Sequence, residues 1–316
     1  MKMPAVIISL GLLWSPDLAQ ASCASPPPGL MAWWPGEGNA NDVISGNNGT
    51  LTNGAGFSAG EVGQGFSFGT SGAGILLGNP TNLQSQDFTI EAWILRGNTN
   101  VATTDPAAGG AAVIFGYGSQ GYAFGMGNPP WTGWLWLEVA GGYRINAGPL
   151  IDDVNLHHVA VTRSGTSVVF FVDGVGYPFP LSLFSVTFQF TTQAAIGVRS
   201  DRVNGAGNAS FCGTIDEVSF YNRPLSADEI AAIYAAGSAG KCRAGASANL
   251  TIDRHAGIAV EGTVGAAYFI QCVSDVHDTN WTTFTNFVLP QSPYRILDPD
   301  APRWSSRFYR VQRGTN

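Results

Sequence analysis

Short runs of alternating apolar and polar residues recur along this chain, separated by clusters of Gly, Asn and Pro. Alternation places every second side chain on one face of an extended backbone, so each run is a strand with one face available for a core. Residues 30–34, 88–95, 112–117, 134–139, 157–163, 168–172 and 214–221 are such runs. Many short strands joined by tight turns predict an all-β sandwich or barrel. Between Val172 and Val175, Asp173-Gly174 accepts the positive φ angles of a type I′ turn and predicts a hairpin. One short helix is expected. Ser226 caps its first turn, Glu229 completes a capping box, and Gly237 ends it. Ile230, Ile233 and Tyr234 share a face for packing on the sandwich.

The rest of the composition narrows the functional classes. Hydrophobic residues make up 45% of the 316, enough for a real core, while charged residues are only 12%. Net charge is −7 with no Lys/Arg stripe, which excludes nucleic acid as an expected partner and argues against anionic membranes. Neutral glycans, or cations held by carboxylates, fit this balance. Lys2, the apolar run 5–14 and Ala19-Gln20-Ala21 have the order of an export signal, so residues 1–21 are expected to be a signal peptide and the protein secreted or at the cell surface. No later stretch is long and apolar enough for a transmembrane segment. Four cysteines, Cys23, Cys212, Cys242 and Cys272, lack metal-knuckle spacing and allow two disulfides in three connectivities. After Cys242 the text changes. Residues 243–248 are a small, polar linker, and 249–316 carry a second set of strands at 250–252, 258–261, 267–272, 281–284, 294–297 and 308–311, a small C-terminal β module.

Several motifs resemble a known family. Gly29-Leu30-Met31-Ala32-Trp33-Trp34-Pro35-Gly36-Glu37-Gly38-Asn39-Ala40-Asn41-Asp42 resembles the opening strand of bacterial laminin-G-like jelly-roll domains. Phe88-Thr89-Ile90-Glu91-Ala92-Trp93-Ile94 is similar to their central strand, and His157-His158-Val159-Ala160-Val161-Thr162 with Phe171-Val172-Asp173-Gly174 to the next pair. Phe211-Cys212-Gly213-Thr214-Ile215-Asp216-Glu217-Val218, followed by Tyr221-Asn222-Arg223-Pro224-Leu225-Ser226, resembles the closing strand and helix. The resemblance covers residues 23–242 and implies a concanavalin A-like jelly-roll sandwich. Leu156, where the family has Trp, and a Gly/Ala-rich insert near 101–111 depart from it. Tyr268-Phe269-Ile270-Gln271, Trp281 and Arg307-Phe308-Tyr309-Arg310-Val311 resemble a short C-terminal module of secreted Verrucomicrobia-like proteins. Because Cys23 and Cys242 bracket the jelly roll, and domain termini lie close together, a Cys23–Cys242 bridge is expected.

Each candidate chemistry has a plainer alternative. Glycoside hydrolases of this class need paired carboxylates, presented along one strand as Glu-x-Asp-x-x-Glu, and no such run exists. Asp216 and Glu217 are adjacent and expected on opposite faces, while Glu91 and Glu138 stand alone on their strands. His157 and His158 also face opposite ways, and the resemblance makes them structural. No catalytic site is expected. The resemblance implies a structural calcium, with Asp42, Asn39 (with Asn41) and Asp216 as ligands, against the alternative that Asp42 only caps a turn. From loop into strand run Trp131, Trp134, Trp136 and Glu138. Alternation sets Trp134, Trp136 and Glu138 opposite a core face of Leu135, Leu137 and Val139. Exposed, they would form a platform for stacking on sugar rings. Covered, they would leave recognition to the loops around Asp42 and 101–111. The expected function is therefore a secreted, non-catalytic recognition or adhesion protein binding extracellular carbohydrate or a surface protein. A glycan-active hydrolase and a purely structural surface module are the alternatives.

Overall fold

The computed structural model describes residues 23–127, 133–142, 144–179, 185–243, 250–252, 257–275, 277–298 and 306–314. The expected signal peptide and nearly all of the expected linker lie outside them. The chain divides into two compact units after Lys241.

In the first unit the strands are β1 (Leu30–Trp34), β2 (Thr50–Thr52), β3 (Gly56–Ala59), β4 (Gln64–Phe68), β5 (Gly74–Gly78), β6 (Phe88–Arg96), β7 (Ala112–Tyr117), β8 (Tyr122–Met126), β9 (Trp134–Val139), β10 (Arg144–Leu150), β11 (Leu156–Ser164), β12 (Ser167–Val172), β13 (Val175–Pro178), β14 (Ala194–Ile196) and β15 (Gly213–Tyr221). They form two antiparallel sheets. One has the order β13-β12-β11-β6-β15-β4-β3, with β1 also paired to β15; the other has the order β10-β9-β8-β7-β14-β5-β2. Their inner faces supply one core, with Phe66, Ile90, Ile94, Val161 and Phe220 from the first sheet meeting Ile75, Phe115, Phe124, Leu135 and Leu137 from the second. Tyr122 stacks on Phe220 across the seam, 5.8 Å between centroids. The alternation along β9 holds: Leu135 and Leu137 are in the core, and Val139 packs against it.

The local signals act as their chemistry requires. Asp173 and Gly174 take φ of 49° and 77°, and the hairpin registers Val172 on Val175. Ser226 and Glu229 close the capping box of α1 (Ala227–Ala236), whose Ile230 and Ile233 pack with Ala160, Phe171, Tyr221 and Leu225 on the outer side of the first sheet. A disulfide joins Cys23 to Cys242, as the bracketing positions predict, and Ala24 N–H donates to Gly240 O at 2.9 Å beside it. Cys212 and Cys272 are free thiols.

The second unit contains β16 (Leu250–Ile252), β17 (Gly257–Val260), β18 (Ala267–Val273), β19 (Thr282–Val288), β20 (Tyr294–Leu297) and β21 (Phe308–Arg313). They form two three-stranded sheets, β16-β17-β20 and β19-β18-β21, around Ile258, Val260, Tyr268, Ile270 and Leu289.

Closing so long a loop restricts the unfolded chain. Replacing both Cys23 and Cys242 with Ser is expected to lower stability by about 2–5 kcal/mol in urea unfolding. Reductant should move the wild-type curve onto that of the double variant; coincident curves without reductant would mean that the bridge contributes nothing.

Candidate functional site

On the outer face of the second sheet lies a cavity of about 90 Å³, lined by Trp136 and Glu138 of β9, Arg144 of β10, Val113 of β7, the 107–111 insert and the 199–209 segment with Arg199, Arg202, Gly207 and Ala209. Backbone pairing builds its floor. Trp136 sits opposite Gly125 of β8, and a Cβ there would stand 2.5 Å from the indole, so only glycine lets the ring lie flat across the neighbouring strand. The insert is held in place by Asp105. One carboxylate oxygen caps the short turn Pro106–Ala108 through Ala107 N–H at 2.9 Å; the other accepts Asn208 N–H at 2.6 Å. Thr104 N–H and Val113 N–H donate to Ser210 O and Ala209 O. Asp105 thus ties together the two segments that wall the cavity.

The polar lining is mostly cationic. Arg144 binds Glu138 through Nε and Nη2, both at 2.6 Å from Oε2, and its guanidinium lies 4.2 Å over the Trp136 ring. Burial pushes the Glu138 carboxyl above its ordinary range, and Arg144 opposes this without cancelling it. Arg199 grips Asp201 at 2.8 and 3.1 Å. Arg202 is exposed and makes no ion pair among the described residues. The indole N–H of Trp136 is buried and has no acceptor there.

These positions correct one expectation and describe the surroundings of another. Trp136 is 0% exposed. It packs among Ala111, Val113, Ala123, Ala140 and Ala209 under the insert, so it is a wall and not a stacking platform. Trp134 is half-buried, Glu138 is buried against Arg144, and Trp131 lies outside the described residues. Asp42 caps a turn. Oδ1 accepts Trp33 N–H and Ile44 N–H; Oδ2 accepts the Ser45 hydroxyl and Asn47 N–H, all at 2.7–3.1 Å. Those four donors take up the roughly four lone-pair sites of a carboxylate. Asn39 closes its own turn with Asn41 N–H and Glu37 O, while Asp216 accepts Val62 N–H at 3.0 Å. As placed, protein donors already occupy the Asp42 carboxylate. Among the described residues no three His, Cys, Asp or Glu side chains gather in a metal-holding group.

A second constellation was hidden by the assumption of regular alternation. The pairing of β15 with β6 shifts register between Asp216 and Ser219, and Glu217 there has a φ of 57°. The irregularity turns Glu217 toward the face that carries Glu91, correcting the expected opposition of Asp216 and Glu217. Lys241 Nζ lies 2.9 Å from Glu217 and 3.1 Å from Glu91. Glu217 also accepts the Trp33 indole N–H at 3.0 Å, and His158 pairs with Glu91 at 3.1 Å. All five residues are at most 6% exposed. Burial raises Glu91, but Lys241 and His158 outweigh it and hold the carboxyl at about 2. Burial, with Glu217 adding to it against the Val62 N–H, lifts Asp216 to about 8. His157 faces the other way and lies between Asp173 and Asp153, at 2.7 and 2.9 Å. Both histidines are paired with carboxylates of the protein.

A family model of the concanavalin A-like lectin/glucanases superfamily, laminin-G type, matches residues 68–231. No curated protein sequence matches the chain. Among solved structures, domain 4 of AbnA, an extracellular GH43 arabinanase of Geobacillus stearothermophilus in complex with arabinotriose, is 18% identical, with 64% of this chain and 96% of that chain covered at a TM-score of 0.48. The Trypanosoma rangeli sialidase is 18% identical over 67% of this chain and 33% of its own, TM-score 0.45, so this chain spans about a third of it. The CBM40 of the Ruminococcus gnavus IT-sialidase is 16% identical over 49% and 85%, TM-score 0.38.

Two outcomes test these placements. Trp136→Ala is expected to cost about 3–5 kcal/mol, since it removes a buried ring and leaves a void; an unchanged melting temperature would mean that the indole is exposed. Asp216 differs in sign from Glu91. A raised carboxyl stabilises the fold fully below its unfolded value of 3.8, and this is lost as pH rises to about 8. The lowered Glu91 contributes above 4.5, and its contribution is lost as pH falls toward 2. Wild type should therefore lose stability relative to Asp216→Asn between pH 4 and 8 in urea titrations; parallel curves would place the Asp216 carboxyl in water.

Proposed function

Because this chain belongs to the concanavalin A-like lectin/glucanases superfamily, we propose that it is a secreted, non-catalytic recognition protein that binds extracellular carbohydrate at the cavity on the outer face of the second sheet. The observation that carries this reading is the cavity itself: a concave, polar site whose wall combines an aromatic ring with several hydrogen-bonding side chains, the composition that saccharide hydroxyls require. The 101–111 insert roofs it, which supports the expectation that covered tryptophans move recognition into that loop. Export is supported by the order of Lys2, the apolar run and Ala19-Gln20-Ala21, and by the Cys23–Cys242 bridge.

The non-catalytic part rests on the carboxylates. Glycoside hydrolysis uses two that reach the substrate. Here the pair that converges, Glu91 and Glu217, is sealed around Lys241, and Glu138 is bound to Arg144.

Ala107 is exposed at the rim of the cavity. Ala107→Trp should block the site while leaving the melting temperature within about 1 °C, because a surface substitution away from packed features changes stability by only a few tenths of a kcal/mol. On a glycan array, wild type should bind with or without chelator and the variant should not. Binding that survives Ala107→Trp would place recognition elsewhere on the molecule.

A further inference from the structure

Resting on that recognition reading, we infer that the cavity takes an acidic saccharide and holds it by its carboxylate. The inventory of the lining points there. Three guanidiniums, Arg144, Arg199 and Arg202, face one lining carboxylate, Glu138. Glu138 compensates Arg144, and Asp201 compensates Arg199. Arg202 is left over, an exposed cation without a partner among the described residues, in a chain whose net charge is −7. The local sign opposes the global one.

A second, independent observation agrees. Trp136 walls the same cavity, and its indole N–H, on a side chain 0% exposed, has no acceptor. Guanidinium and indole nitrogens only donate. A site with surplus donors and surplus positive charge is complementary to a group that only accepts and is negative. A planar carboxylate matches the guanidinium fork in two parallel hydrogen bonds.

Size narrows the choice further. At about 90 Å³ the cavity is well below the roughly 300–1,000 Å³ of pockets that enclose a whole small ligand. That admits a carboxylate and the ring carbon bearing it, with the rest of the sugar lying on the rim at Ala107 and Ala108. The small lining maintains this space. A Cβ on Gly207 would stand 2.8 Å from Arg202 Nη1 and crowd the guanidinium. A sulfate ester offers the same charge on a bulkier tetrahedral group, so it is expected to bind less tightly.

The test uses the full chain on an array of neutral, carboxylated and sulfated glycans, followed by calorimetric titration of the best carboxylated hit and its methyl ester. The expected result is a bound set made up of carboxylated glycans. The ester, which keeps the ring but removes the charge, should bind at least tenfold more weakly. Arg202→Gln should weaken the acid at least tenfold and bring it level with the ester, and added salt should weaken wild-type binding. Neutral glycans bound as tightly as acids, or an acid unaffected by Arg202→Gln, would overturn the carboxylate assignment and leave carbohydrate recognition standing. Tighter sulfated hits would overturn it in favour of a sulfate site. An array blank in every class would overturn both.

Discussion

The Lys241 ammonium, held between Glu91 and Glu217, organises the first unit. It draws together a central strand of the first sheet, its closing strand and the end of the unit, and the Trp33 indole bound to Glu217 adds the opening strand. Charges buried this deeply are tolerated only when each is paired and hydrogen-bonded, because desolvation otherwise exceeds the attraction. The register shift at Glu217 is what makes the pairing feasible: a regular strand would have sent that side chain to the other face. Strain at one positive-φ residue thus fixes where three strands and the end of the unit meet. The disulfide at Cys242 then secures covalently the same end that Lys241 secures electrostatically.

This arrangement gives the two outer faces of the sandwich different fates. The outer side of the first sheet is covered by α1 and the buried charge cluster, with Trp93 edge-on to His158 and stacked toward Tyr234. Little room is left there for a ligand. The outer side of the second sheet is covered only in part, by an insert that Asp105 pins to the 208–210 segment. The covering buries Trp136 and leaves a small polar hollow beside it. The proposed recognition site thus lies where the sandwich is incompletely roofed, between strand β9 and the insert.

How much of this could be read in the sequence follows from the range of each signal. Short apolar runs bounded by turn residues are legible: 30–34, 112–117 and 134–139 coincide with β1, β7 and β9. So are the Asp173-Gly174 turn, the Ser226 capping box and the Cys23–Cys242 pair, which depend on local chemistry or on the proximity of domain ends. The strands β2 to β5 escaped, because they are three to five residues long, too short to show a period, and β3 to β5 carry glycines. Alternation puts Trp136 on the correct face but leaves its exposure open, since it says which side a ring is on and nothing about what folds over it. Asp42 is a turn cap because its donors come from residues within nine positions, a pattern that a list of oxygen-bearing residues does not distinguish from a calcium loop. Arg144, Arg199 and Arg202 were invisible as a group, being assembled from a strand and a distant loop. Two signals were nonetheless present: Asp105-Pro106 is a capping pair, and Arg199, Asp201 and Arg202 form a dense charge group in a chain only 12% charged.

The most direct measurement is on the Trp136 indole. The side chain lines the cavity, and its buried ring N–H has no acceptor among the described residues, so a ligand that enters should change its environment more than that of any other tryptophan. In a ¹⁵N–¹H correlation spectrum titrated with a bound glycan, the Trp136 indole resonance should move, together with the side-chain Nε–H of Arg202. The indoles of Trp33 and Trp34, bonded to Glu217 and to the Asn47 carbonyl, should stay where they are. A glycan that binds while Trp136 and Arg202 remain fixed would contradict the placement of recognition at this cavity.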